Sequence, residues 1–175
     1  MSSTWSSSWR ISSINGALLA AYFIPLWTLI AFNIMVSPIH GLYERPSVSI
    51  ALFATDHLQL AKLATVRLAW LLALARMTVV AFFVIFLATL VRPSLRKSGA
   101  CDEALGMALA LGSVLSFVSM LTASKVGETE ALRLHAAELL MLIGTAIVLL
   151  VEKPAKPAAE APASVAAAEL SLQQP

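Results

Sequence analysis

The sequence predicts an all-α membrane protein: a four-transmembrane-helix bundle with a long second helix and a disordered C-terminal tail. Three observations predict it. Four apolar runs lie at residues 17–36, 69–91, 104–124 and 131–151. Each reaches the roughly 20 residues needed to cross a hydrocarbon core about 30 Å thick. The chain is 59% hydrophobic and 13% charged, where soluble domains average about 25% charged residues. Four spans, short connections and two tails occupy all 175 residues, so one compact bundle is expected, with no soluble enzyme domain attached.

Residues 1–16 read as a serine-rich N-terminal tail. Trp5 and Trp9 suit the headgroup region, and Ser6–Ser8 and Ser12–Ser13 read as solvated. The first apolar run is longer than a signal h-region and no A-x-A site follows it, so it is expected to remain as a span. Pro25 cannot donate to the Ala21 carbonyl and is expected to kink this helix. Ser37-Pro38 closes it, because the residue before proline avoids the helical region.

The connection from His40 to Thr55 reads as irregular at first, around Gly41 and Pro46, and then as an interfacial stretch. Asp56-His57-Leu58-Gln59 resembles a capping box with Asp56 as N-cap. No proline or glycine follows until Pro93, which predicts one helix from Asp56 to Val91, about 54 Å long at 1.5 Å per residue. Its first turns, carrying Lys62 and Arg67, should project from the bilayer or bend along its surface. Arg92 to Ala100 reads as a basic loop, and Cys101 as an exposed thiol within that connection. Asp102 and Glu103 suit the positive end of the third helix. The short connection Lys125–Glu130 makes spans three and four an antiparallel hairpin. Residues 154–175 are rich in alanine, proline and glutamate and are expected to be disordered.

Charge sets the orientation. Arg10, Arg92, Arg96, Lys97, Lys153 and Lys156 fall on the side of the termini; Arg45, Lys125 and Arg133 fall on the other, joined by Lys62 and Arg67 where these leave the membrane. The positive-inside rule then places both termini in the cytoplasm, in a membrane read as the bacterial inner membrane. The net charge of +2 is too small and scattered to suggest nucleic acid.

Three sets of residues stand out. Arg76 and Glu138 interrupt spans two and four, where a lone charge costs several kcal/mol. Arg76 lies 16 residues before Arg92 and Glu138 lies 14 before Glu152, or about 24 and 21 Å at the helical rise. Equal depth on parallel helices predicts an ion pair, or a shared water. Ala108, Gly112 and Ser116 form a small-residue stripe that lets another backbone approach, with Gly144 offered as the matching gap on span four. His57 and His135 open helices two and four on one side, with Asp56 and Glu138 nearby, and admit a haem b or a metal between them.

No nucleotide-binding or metalloprotease motif occurs, no catalytic residue is assigned, and no metal is predicted. The favoured reading is a non-catalytic accessory or structural subunit of a membrane complex, its partners the lipid bilayer and other membrane subunits or further copies of itself. One alternative is a transporter- or channel-like protein with a path through Glu138 and Arg76. The other is a haem- or quinone-binding redox subunit using His57 and His135.

Overall fold

The structure is a computed structural model and describes residues 10–92 and 100–152. These residues are all-helical: α1 (Ile11–Val36), α2 (Pro38–Leu42), α3 (Val48–Leu52), α4 (Lys62–Val91), α5 (Ala100–Val126) and α6 (Thr129–Val151). Helices α1, α4, α5 and α6 are each long and apolar enough to span a membrane. Helix α1 packs on α4, α4 on α5 and α5 on α6, while α6 closes more thinly against α1. Large apolar side chains such as Leu18, Leu29, Leu71, Val114 and Leu140 remain exposed on the outside, as expected of a bundle whose outer surface meets lipid.

The core centres on α1 and α4. Phe23 stacks on Phe83 with ring centroids 5.8 Å apart, and meets Trp27 edge-on at 4.9 Å. All three rings are buried. Helix α1 runs through Pro25 as a single helix. Gly127, with φ of +84°, ends α5 in the left-handed region that glycine adopts without steric cost. Its N–H and that of Glu128 both return to the Ala123 carbonyl. The α5–α6 turn is therefore the short hairpin that the Lys125–Glu130 spacing implied.

Helix α1 begins at Ile11, six residues before the expected span. Ser12 and Ser13 are buried rather than solvated. The reason lies at the far end of the chain. Glu152 accepts from the Ile11 N–H at 2.6 Å and from the Ser12 N–H at 3.1 Å, so it caps the helix whose own N-cap position, Arg10, gives no side-chain cap. Arg10 bridges Glu152 and Asp102. Burial pushes the Glu152 carboxyl up, but the Ser12 hydroxyl, the Ser12 and Ile11 N–H groups and the Arg10 charge outweigh it and hold the carboxyl below its usual range. Cys101, expected to be exposed in a loop, is buried in the first turn of α5.

The connection between α1 and α4 departs most from expectation. It is folded into the bundle, not laid on an interface: Gly41, Leu42, Ser47, Ser49, Ile50, Ala51 and Ala54 are buried. Helix α2 packs on α1 and α4, and α3 on α5. Gly41 permits the first fold-back. A Cβ there would lie 2.7 Å from the Ile34 backbone nitrogen and 2.8 Å from the Asn33 carbonyl, and backbone atoms cannot step aside.

The expected continuous helix from Asp56 to Val91 does not form. Residues Phe53–His57 make a wide π-turn, closed by Leu58 N–H on the Phe53 carbonyl at 3.2 Å. Gln59 then takes φ of +46° and interrupts the helix, and α4 starts at Lys62 with Ala61, not Asp56, in the N-cap position. Asp56 receives a hydrogen bond from the adjacent Thr55 hydroxyl instead of capping α4. Helix α4 is still the longest, at 30 residues. The tail from residue 154, the tryptophans Trp5 and Trp9, and the basic residues Arg96 and Lys97 lie outside the described residues.

Candidate functional site: a buried arginine, glutamate and histidine cluster

Each long helix and the inserted connection contribute to one polar cluster. Helix α6 presents His135 and Glu138 three residues apart, on one face. His135 Nδ1 and Glu138 Oε2 are 2.9 Å apart, and both side chains are 3% exposed. From α1, Trp27 Nε1–H donates to Glu138 Oε1 at 3.3 Å. From α5, the Ser116 hydroxyl donates to Oε2 at 3.5 Å, a long and weak contact. Convergence of these groups on one carboxyl suits its ionised, acceptor-only form.

Arg76 of α4 is 2% exposed. One guanidinium nitrogen donates to Ser47 Oγ at 2.8 Å and another to the Pro46 carbonyl at 3.2 Å. Arg76 and Glu138 line the same cavity, together with Trp27, Ser116, Ser119 and His135. Its volume is about 10 Å³, close to the lower limit for one water. The two charges interact electrostatically but make no direct ion pair. The guanidinium is engaged by the neutral acceptors that the connection carries into the bundle. His135 Nε2 is buried and has no hydrogen-bond partner.

The other singled-out residues are placed as follows. Ala108, Gly112 and Ser116 are all buried. A Cβ on Gly112 would meet Leu142 of α6 at 3.4 Å and Val79 of α4 at 3.6 Å, so the stripe faces both neighbours. Gly144 is not opposite it. A Cβ there would meet nothing within 4 Å, and Gly144 lines an open groove of about 490 Å³ with Asn15, Leu18, Tyr22 and Thr145, along the α1–α6 seam. His57 is exposed and stacks on Phe53 at 5.0 Å, and Asp56 is exposed beside it. The cavity that takes in His135 does not include His57.

Sequence reasoning missed Ser47, the Pro46 carbonyl and the close approach at Gly16, where an added Cβ would lie 2.8 Å from the Phe86 ring. The Trp27 indole is a polar-capable group in an apolar run. No group of three or more His, Cys, Asp or Glu side chains suited to a metal occurs among the described residues. Comparison with protein-family models, with curated proteins and with solved structures finds no match for this chain.

Proposed function

We propose that the chain is a small multi-pass membrane protein that serves as a non-catalytic component of a larger membrane assembly, with both termini on the cytoplasmic side. The groove along the α1–α6 seam carries this reading. It is the thinnest of the helix–helix closures around the bundle, it is lined mainly by apolar side chains, and Gly144 leaves a gap at its floor where a neighbouring helix can come close. The central cluster supports the same reading, because a cavity near one water in size suits a bundle held together by internal polar contacts better than a substrate chamber. The excess of lysine and arginine on the terminal side supports the orientation.

The test is the size of the assembly in mild detergent, compared between Gly144→Leu and Gly106→Leu. An added Cβ at either position meets no neighbouring element within 4 Å, so the pair compares two sites that are both open, one in the groove and one outside it. Loss of the larger assembly only in Gly144→Leu supports the reading; equal behaviour of the two variants, or a wild type that runs as a monomer, rejects it.

A transport-like path through Glu138 and Arg76 has one observation in its favour, the polar cavity that both line. A haem or quinone held by His57 and His135 has less, since His57 stacks outside on Phe53 and His135 is engaged with Glu138.

A further inference from the structure

Arg76, Glu138 and His135 are all at most 3% exposed. With His135 neutral, the cluster is balanced: one cation, one anion. The 2.9 Å contact then requires the His135 proton to sit on Nδ1, donating to the Glu138 carboxylate. That tautomer leaves Nε2 with a bare lone pair. Nε2 is buried with no hydrogen-bond partner, on a residue that lines a cavity of about 10 Å³, at the lower limit for one water. A buried lone pair without a donor, on a residue that lines a polar cavity of that size, is an unused basic site.

We propose that this cluster is a binding site for a single proton, taken up on His135 Nε2 through one water in the cavity. The step is a simple addition. Nε2 forms a bond to the incoming proton, Nδ1–H stays on Glu138, and the cluster moves from zero net charge to +1. The imidazolium is balanced by Glu138, already in contact. What changes is the setting of Arg76, which now shares the cavity with a second cation. Helix α4 offers Arg76, α1 offers Trp27, α5 offers Ser116 and Ser119, and the inserted connection offers the Pro46 carbonyl. Tyr22 of α1 lies within electrostatic reach of Glu138. Among the described residues, Glu138 is the only carboxylate lining the cavity. Repulsion therefore acts on Arg76, and through its bonds to Ser47 and Pro46 on the inserted connection. Proton uptake inside the bundle is in this way tied to the grip on a segment whose far end, at Asp56 and His57, is exposed. This inference does not depend on the partner-docking groove, and it survives or fails separately.

The test is nitrogen-15 NMR of the histidine rings in full-length protein in nanodiscs of phosphatidylethanolamine and phosphatidylglycerol. His40→Gln and His57→Gln variants assign the three signals. The exposed His40 and His57 serve as internal references. At neutral pH, His135 should be singly protonated, on Nδ1. Over the acidification that doubly protonates His40 and His57, His135 should become doubly protonated as well, and the amide exchange of Ser47 to Ala54 should rise at least several-fold. In Glu138→Gln, His135 should stay singly protonated over that range. Two results overturn the proposal in the wild type alone, with no variant that must fold: a neutral His135 protonated on Nε2, or a His135 that stays singly protonated while His40 and His57 convert.

Discussion

Replacing Arg76 and Glu138 separately and together gives the sharpest test of how the cluster is held. Arg76→Met removes two charge-assisted hydrogen bonds, at 2.8 and 3.2 Å, and leaves the buried Ser47 hydroxyl without its partner. Such bonds are worth about 1.5–3 kcal/mol each, and the longer one belongs at the low end, so the single variant should lose about 3–5 kcal/mol. Glu138→Gln keeps the shape and still accepts from Trp27. It trades a carboxylate for an amide and can set its NH₂ against the His135 Nδ1–H, at a cost of about 2–3 kcal/mol. Each single variant also leaves one uncompensated charge at a 2% exposed position; the double variant leaves none. Because the two groups share a cavity but no direct bond, their coupling should fall in the range found for neighbouring residues, about 1–2 kcal/mol. The assay is reversible unfolding by a denaturing detergent in mixed micelles, followed by circular dichroism. A double variant whose loss equals the sum of the singles, within about 0.5 kcal/mol, would refute the reasoning and show that Arg76 and Glu138 are independent anchors.

Gly41→Ala should cost about 1–3 kcal/mol in the same assay, since the added methyl meets fixed backbone atoms of Asn33 and Ile34; an unchanged stability would mean that the fold-back of α2 is looser than it looks. Gln59→Gly should stabilise by roughly 0.5–1 kcal/mol, because it relieves a left-handed residue, and a loss would show that the glutamine side chain contributes more than the strain costs. Glu152 has a folded carboxyl pKa below its unfolded value, so its contribution is present above the unfolded value and is lost as the pH falls through the folded one. Glu152→Gln should accordingly flatten the acid limb of the stability profile, and an unchanged acid limb would refute the capping role.

The four long helices were legible because crossing a bilayer demands a length of apolar sequence that little else produces. Their ends were less so. Ser12, Ser13 and Cys101 look like loop residues when read locally, and they are buried because α1, α5 and the end of α6 converge on Arg10, Asp102 and Glu152. The false capping box at Asp56 had the right residue types. It lost to a helix break at Gln59, a residue whose positive φ no sequence rule anticipates. Arg76 and Glu138 stood out as rare charges in apolar runs, and their shared cavity follows from equal depth on helices running the same way. The actual partner of Arg76 did not stand out, because a serine hydroxyl and a proline carbonyl carry no signature for a buried charge. Their arrival depends on the connection folding inward, which Gly41 allows but does not announce.

The cap that Glu152 places on α1 also orders events during synthesis. The Ile11 and Ser12 N–H groups that it receives belong to the first of the described helices to be made, and the carboxylate that satisfies them belongs to the last of the described residues. Until then the start of α1 must rely on water or headgroups. Closure of the seam between α1 and α6 is therefore a late step, and a chain halted before residue 152 would present α1 without its Glu152 cap.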